Sequence, residues 1–339
     1  MINIWNRPLW DRLRPTPLAS GGAVLLSGPR GVGKRSFACA LAKAVLCPRA
    51  VTAAEACGDC ASCRLFDAAS HPDFRLVEPA VEDVGADTST APAQAASAGS
   101  RAARVITVGQ IRELAQFLEL TSHFGGAKVV IIQPADRMHA SAANALLKTL
   151  EEPTARTLFL LVADQPNKLP ATVRSRCLRV DFPVPPRELA LDWLSAKGIQ
   201  EPEIALAQAG FAPLAAAQRV QGGFWDRRRM LTDALSLVDV DPERLSAQVD
   251  AADLVPFWEL LCRWCYDLIS LRLTKRIRYN PDYAEKLSRL ADNADVLELS
   301  NMMKELIAAG RALDHPLSPR LVVEQLAIRY TRAIVAQLS

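Results

Sequence analysis

The sequence has no apolar run long enough to cross a membrane. Its longer apolar stretches, such as residues 129–132 and 158–163, are the size of single strands, whereas a membrane-spanning helix needs about 20 residues. The N-terminal residues, with Trp5, Arg7 and Trp10 among them, lack the apolar core of a signal peptide. We therefore expect a soluble, cytoplasmic protein that has no contact with a membrane.

The sequence also lacks a marked excess of charge of one sign. It contains 40 lysine and arginine residues against 37 aspartate and glutamate residues, a formal net charge of +3 over 339 residues. A balance so near neutrality neither requires nor excludes nucleic acid, so any DNA contact would depend on a local patch. No internal repeat is visible, and the length predicts two or three domains.

One hydroxyl group is missing from an otherwise typical phosphate-binding loop at residues 27–36. The intact pattern is a glycine, four residues and then Gly-Lys-Ser/Thr, in which backbone N–H groups and the lysine bind phosphates and the hydroxyl binds magnesium. The candidate phosphate-binding residues are Gly28, Gly31, Gly33 and Lys34. The hydroxyl position is occupied by Arg35, and Ser36 is rotated away from the metal by about 100° of helix.

The second nucleotide-binding element is incomplete as well. After its strand an ATPase of this class carries an aspartate for magnesium and a glutamate that polarises the attacking water, but this chain has Gln133 and Pro134. Together with Arg35, three catalytic positions are unsuited to hydrolysis. We expect that ATP is either not bound or not hydrolysed, and Lys34 is either a relic or a weak phosphate ligand.

The spacing of apolar residues predicts an α/β fold followed by an all-α region. Strands that are apolar along their length are expected at 23–26, 74–77, 128–132 and 158–162, with helical periodicity at 108–119 and 141–151. Such alternation is typical of a mainly parallel sheet covered on both faces. After the prolines of 181–186 the pattern is helical throughout, including 254–273, 294–312 and 319–338.

These patterns predict three domains. The α/β domain is expected at residues 1–182, a small helical domain at 183–225 and a second helical domain at 226–339. Residues 85–103 contain mostly small and polar side chains and are predicted to form a mobile surface loop.

Four cysteines have the spacing of a metal site. Cys47 is followed after nine residues by Cys-x-x-Cys-x-x-Cys, and the four candidate ligands are Cys47, Cys57, Cys60 and Cys63. Four thiolates suit tetrahedral Zn²⁺, and a site closed by four cysteines is structural rather than catalytic. The alternative is a set of reduced cysteines in a loop. Cys262 and Cys265 share the same spacing, but they lie on an apolar helical stripe where packing explains them.

Three segments resemble a known family. Residues 126–130 (Gly-Ala-Lys-Val-Val), 143–153 and 175–177 (Ser-Arg-Cys) are similar to the clamp loader of the bacterial DNA polymerase III, a family of AAA+ proteins. The resemblance is specific over roughly the first half of the chain. It implies an AAA+ domain with a zinc module at 47–63, a helical lid domain and a C-terminal helical collar domain.

The resemblance also implies partners and a role. Subunits of this family join in a hetero-pentamer of gamma/tau motor subunits, a delta subunit and a further subunit, which places the sliding clamp on primed DNA. The incomplete nucleotide motifs favour the member that does not hydrolyse ATP. Such a chain would be a monomer when isolated, and it would be an enzyme only by its association with the polymerase.

The resemblance assigns roles to two arginines. Arg176 of the Ser-Arg-Cys segment would act in trans as an arginine finger, because a guanidinium can stabilise the charge that develops in a neighbour's ATP site. Arg112, near the start of the helix at 108–119, would contact DNA phosphates inside the ring. Without the resemblance, both are ordinary surface charges.

In motor subunits a polar residue ends the strand at 158–162, where this chain has Ala163.

Two other functions stay open at this point. The chain could be a motor subunit with its own ATPase activity, which Gly33 and Lys34 favour. It could instead be a zinc-stabilised nucleic-acid-binding protein, which would need a strongly basic face that the composition does not indicate.

Overall fold

In a computed structural model of the protein, the described residues are 2–13, 21–50, 55–79, 105–151, 156–312 and 318–335. The predicted mobile loop at 85–103 lies outside them. The chain divides into two compact units, Met1–Pro186 and Arg187–Ser339. The division of the second unit into a lid domain and a collar domain stays a prediction.

The first unit contains a five-stranded sheet and its covering helices. The strands are β1 (Gly22–Ser27), β2 (Phe74–Val77), β3 (Lys128–Ile132), β4 (Thr157–Ala163) and β5 (Leu178–Asp181). The helices are α1 (Arg7–Leu13), α2 (Lys34–Leu46), α3 (Ala61–Asp67), α4 (Val108–Glu119), α5 (Ala140–Glu151) and α6 (Ala171–Arg174). The strands expected at 74–77 and 128–132 have the predicted bounds.

The sheet has the order β2-β3-β4-β1-β5, and every paired strand is parallel to its neighbour. All residues of the two central strands β3 and β4 are buried, which explains why their sequences are apolar along their whole length. Side chains of α4 and α5 cover one core that includes Phe159 and Leu161. The predicted α/β class is confirmed.

Helix α4 is fixed at both ends by side chains. At its start Thr107 and Gln110 form a capping box, in which each side chain binds the other residue's backbone N–H. At its end the buried Lys128 donates from Nζ to the carbonyl oxygen of Phe117 at 2.6 Å. Burial lowers the pKa of Lys128, and the carbonyls at the helix end are a favourable environment for its charge.

The second unit is all-α in the part of it that is described. Its helices are α7 (Arg187–Ala196), α8 (Pro202–Gln208), α9 (Pro213–Arg219), α10 (Phe224–Leu235), α11 (Pro242–Ser246), α12 (Leu254–Thr274), α13 (Ala284–Asn293), α14 (Val296–Ala312) and α15 (Pro319–Val335). Helices α7, α8 and α9 surround a small apolar core, and the later helices surround a larger one. The prediction of helices throughout this region is therefore confirmed for the described residues.

The apolar stripe of α12 forms the larger core. Trp264 is fully buried and donates from Nε1 to the hydroxyl of Tyr330 at 2.7 Å, and that hydroxyl donates to the carbonyl oxygen of Leu235 at 2.6 Å. Cys265 is also fully buried in this core, which agrees with a packing role for it. The chain of hydrogen bonds satisfies the polar atoms of two large side chains and connects α10, α12 and α15.

Candidate nucleotide, metal and subunit-contact sites

The phosphate-binding loop has the expected position between β1 and α2. Gly28, Gly31 and Gly33 have φ angles of 150°, 84° and 97°, a region of backbone conformation that L residues rarely adopt. A Cβ atom at Gly28 would approach Phe182 Cβ to 3.0 Å and its carbonyl oxygen still more closely. The glycines are therefore needed for the fold of the loop, whether or not it binds a ligand.

Lys34 is fully engaged within the chain. Its side chain is 3% exposed, and Nζ lies 2.6 Å from each of three acceptors, the carbonyl oxygens of Gly28 and Pro29 and a carboxylate oxygen of Asp164. An ammonium group has three N–H donors, so all of them are used. A phosphate could bind Lys34 only after displacing one of these acceptors.

Sequence reasoning missed Asp164. It correctly noted Ala163 as an apolar residue at the end of β4, but the next residue supplies the carboxylate that pairs with Lys34. The backbone N–H of Asp164 donates to Asp136 at 3.0 Å, which fixes the turn after β4. A carboxylate directly after a buried parallel strand was the available signal, because such strand ends meet at one edge of the sheet.

The N-terminal segment contacts the far side of the loop. Trp5 and Asn6 each donate a side-chain N–H to the carbonyl oxygen of Val32 at 2.9 Å, and Asn3 donates to the hydroxyl of Ser36 at 3.1 Å. A Cβ atom at Gly33 would lie 2.8 Å from the Asn6 amide nitrogen. The start of α2 is therefore covered by protein atoms on this side.

The two positions that should supply the magnesium site share one carboxylate instead. Arg35 lies 3.2 Å from Glu78, and the Gln133 amide donates to the same Glu78 oxygen at 2.9 Å. Gln110 donates to the backbone carbonyl of Glu78 at 2.7 Å and holds this residue in place. The sequence identified Arg35 and Gln133 as unsuited to metal binding, but Glu78 was not among its candidates. The Arg35 guanidinium and the Gln133 amide thus both contact one oxygen of the Glu78 carboxylate.

The four predicted metal ligands lie together. Their Sγ atoms are all within 4.8 Å of one another, with Cys47 3.6 Å from Cys57 and 4.0 Å from Cys60, and Cys57 3.9 Å from Cys63. With Zn–S bonds of about 2.3 Å, sulfurs at the corners of a tetrahedron are about 3.8 Å apart. The observed spacings therefore fit a zinc ion held by all four cysteines. We call this set of four residues the four-cysteine cluster.

The local structure orients these sulfurs. Cys47 directly follows α2, and Cys60 caps the start of α3 by accepting from the backbone N–H of Cys63 at 3.4 Å. The backbone N–H of Cys57 points to the sulfur of Cys47 at 3.5 Å. Burial raises the pKa of Cys47, but hydrogen bonds, among them the one from the Cys57 backbone, lower it more, to about 7. The low pKa favours the thiolate form of Cys47, which binds metals, whereas burial raises the pKa of Cys63 to about 12.

His71 is not a ligand of the cluster. It lies in a buried network, where Nε2 is 3.0 Å from the hydroxyl of Ser62 and Nδ1 accepts from the backbone N–H of Asp73 at 3.1 Å. The Ser62 hydroxyl donates in turn to the carbonyl oxygen of Leu46 at 2.8 Å. Burial lowers the pKa of His71, so the neutral ring connects α3 to the start of β2.

Arg176 is at the surface of the first unit, just after α6. One terminal nitrogen donates to the carbonyl oxygen of Thr172 at 2.9 Å, and the other forms an ion pair with Glu151 at the end of α5. The side chain remains 35% exposed. Since a guanidinium has five N–H groups, three remain for a group outside this chain.

Arg112 lies on the exposed face of α4, next to the buried Ile111. Within the described residues its side chain makes no ion pair, so its charge is directed to solvent. Such an arginine can contact a phosphate, but it is equally typical of any solvated helix face.

A parallel sheet with a phosphate loop after β1, followed by a helical unit, defines a nucleotide-binding domain of the AAA+ class. A family model described as "DNA polymerase III, delta subunit" matches residues 19–186. The chain is 34% identical to the DNA polymerase III subunit delta-prime of Pseudomonas aeruginosa over 80% of its own length and 78% of that protein. It belongs to the family of DNA polymerase III delta-prime subunits.

Two further relatives extend the comparison. The delta-prime subunit of Escherichia coli is 34% identical, and the match covers 68% of this chain and 65% of that subunit, slightly less than two thirds. The tau subunit of Bacillus subtilis is also 34% identical, over 47% of this chain and 24% of tau. None of the described helices is both long and apolar enough to cross a membrane.

Proposed function

We propose that this chain is the non-hydrolysing subunit of the DNA polymerase III clamp loader. In this role it supports the ATP-dependent loading of the sliding clamp on primed DNA by other subunits. The observation that carries the proposal is the cluster of Arg35, Glu78 and Gln133. Arg35 and Gln133 provide a positive charge and an amide at positions where hydrolysis needs a hydroxyl and carboxylates.

The environment of Lys34 supports the same conclusion. Binding of a triphosphate would require Lys34 to release Asp164 or the loop carbonyls, which already satisfy its three N–H groups. Magnesium would in addition approach the fixed charge of Arg35. Nucleotide binding therefore begins with unfavourable steps that a functional phosphate loop does not have.

We further propose that Arg176 completes the ATP site of an adjacent motor subunit. Its contacts with Thr172 and Glu151 hold both terminal nitrogens, and three N–H groups remain available to a partner's phosphate. An arginine finger supplied in trans is worth about 10³ to 10⁵ in rate in comparable systems. A chain without hydrolysis of its own can thus control hydrolysis in its neighbour.

The proposed partners are the gamma/tau motor subunits and the delta subunit in a cytoplasmic hetero-pentamer, with the isolated chain a monomer. Arg112 is proposed to touch phosphates of primed DNA within the ring, which positions DNA without reading its sequence. The four-cysteine cluster is proposed to hold a structural zinc ion. A zinc ion bound there would order the segment between α2 and α3, and it has no part in ATP chemistry.

The decisive experiment compares ATP turnover in two settings. Isolated chain with magnesium should show no ATPase activity above background, and Lys34→Ala should not change this. In a loader reconstituted with motor and delta subunits, Arg176→Ala should lower the DNA-stimulated ATPase at least about tenfold without loss of assembly. Arg137→Ala, which removes another exposed arginine of the same unit, is the matched control and should have no effect.

Two results would contradict the proposal. Brisk turnover by the isolated chain that depends on Lys34 would favour a motor subunit with its own activity. Unchanged ATPase in the Arg176→Ala loader would exclude the arginine-finger role, while the scaffold role could still be judged from assembly with the purified motor subunits.

A further inference from the structure

The second unit contains an open cleft of about 800 Å³. One wall is the face of α12 that carries Tyr266, Ser270 and Thr274, and the opposite wall includes Phe211, just before α9. The residues that follow α12 complete the cleft with Arg276 and others. A volume of this size lies in the range of about 300–1,000 Å³ that is typical of ligand pockets.

The cleft has an excess of positive charge. Three arginines line it, Arg187, Arg276 and Arg278, against one carboxylate, Glu203. That carboxylate is 3.1 Å from Arg187 and is engaged with it. Among the described residues, neither Arg276 nor Arg278 forms an ion pair, so two guanidinium charges are left for a ligand.

Aromatic rings hold one of these charges in place without neutralising it. The guanidinium of Arg278 lies 4.9 Å from the ring centre of Phe211 and 5.6 Å from that of Tyr279. Tyr279 also packs edge to face with Tyr266, with ring centres 5.2 Å apart. Tyr266 is 40% exposed at the cleft, so part of its ring is accessible to a ligand.

Buried hydrogen bonds anchor the loop at Arg278 and the two residues that follow it. The fully buried Asp267 accepts from the backbone N–H groups of Arg278, Tyr279 and Asn280 and from the Asn280 side chain, at 2.8 to 3.1 Å. The buried Gln208, at the end of α8, donates at 2.9 Å to the Tyr279 carbonyl and to the Asn280 side chain. Both walls of the cleft are thereby joined by buried hydrogen bonds, and a ligand would not have to order them.

We infer that this cleft binds single-stranded DNA. Proteins that bind single strands combine cationic side chains for phosphates with exposed aromatic rings on which bases stack. Arg276 and Arg278 provide the first and Tyr266 the second. An acidic peptide would match the charge, but it would bring no bases to stack on the accessible part of the Tyr266 ring.

The inference goes beyond the role in the clamp loader and can be tested on the isolated full-length chain. The probe is a fluorescent oligothymidylate of about 16 nucleotides, which forms no duplex, and binding is followed by anisotropy at low salt. We expect Tyr266→Ala to weaken binding at least about fivefold, as for the loss of one stacked base. Arg276→Ala should lower the slope of log K against log salt by about 0.7, as for one phosphate contact to a single strand.

Two control variants separate this cleft from other basic surfaces. Arg289→Ala removes a guanidinium whose side chain is 79% exposed on α13, and Arg137→Ala removes an exposed arginine of the first unit. Both should leave the dissociation constant within about twofold. Thermal unfolding of the arginine variants should match that of the unchanged protein, since the replaced side chains are exposed.

Several outcomes would overturn the inference. They are no binding of the oligothymidylate at low salt, an affinity of the Tyr266→Ala and Arg276→Ala proteins equal to that of the unchanged protein, or a loss of binding only on Arg112→Ala. Displacement of the oligonucleotide by polyglutamate at equal charge concentration would identify the site as one for acidic peptides. None of these results would affect the ATPase test of Arg176.

Discussion

Replacement of Asp267 by alanine should destabilise the second unit strongly. This carboxylate is fully buried and accepts four hydrogen bonds from the loop after α12. The backbone N–H and the side-chain amide of Asn280, itself fully buried, would lose their acceptor. An orphaned buried donor costs about 1–3 kcal/mol, and hydrogen bonds to a charged group are stronger than neutral ones. We therefore expect a loss of about 3–5 kcal/mol.

The loss is measurable as a shift in thermal unfolding. The second unit spans residues 187–339, and for a unit of about 150 residues each kcal/mol shifts Tm by about 2–4 °C. Its transition in differential scanning calorimetry should thus fall by about 6–20 °C. Asp267→Asn retains the shape but presents an NH₂ group to backbone donors, so it should lie between alanine and the unchanged protein.

The matched control is Asp292→Ala, which removes an exposed carboxylate of α13 and should change stability by less than about 0.5 kcal/mol. If Asp267→Ala behaved like this control, the loop would not depend on its buried acceptor. In that case the argument for a preformed cleft would also fail.

Three more perturbations have expected outcomes. Gly310→Ala should cost about 1–3 kcal/mol in urea unfolding, because a Cβ atom would lie 2.9 Å or less from the Trp258 ring; equal stability would refute this packing. Burial raises the pKa of Glu259, but Arg219 and a second arginine hold it below its usual range. Its contribution, about 1 kcal/mol or less, should therefore be present above pH 4.5 and lost as pH falls through the lowered pKa, a dependence that Glu259→Gln should reduce in acid titrations of stability. Purified protein should release one zinc ion per chain to a chelator and Cys57→Ser much less, and a metal-free unchanged protein would contradict the four-cysteine cluster as a zinc site.

The sheet could be predicted from the sequence because its central strands are buried on both faces. Such strands must be apolar along their length, and the bounds of β3 at 128–132 were accordingly predicted. The four-cysteine cluster was predictable for a related reason, since its ligands lie close together in the chain. In both cases the residues that the structure requires lie within a short segment of the sequence.

The contacts around the phosphate loop could not be predicted in the same way. Lys34 meets Asp164 and Arg35 meets Glu78 only because separate strands end at one edge of the sheet. A pattern in one segment shows which residue is absent, as it did for the hydroxyl replaced by Arg35. It does not show which distant side chain fills the space.

The pairing of Lys34 with acceptors of its own chain has a consequence for the proposed assembly. A buried ammonium without partners is costly. Here the chain's own carbonyls and Asp164 provide those partners. Under the proposed function, the conformation of this loop would not follow the ratio of ATP to ADP, and the subunit would offer a constant surface to motor subunits that bind nucleotide.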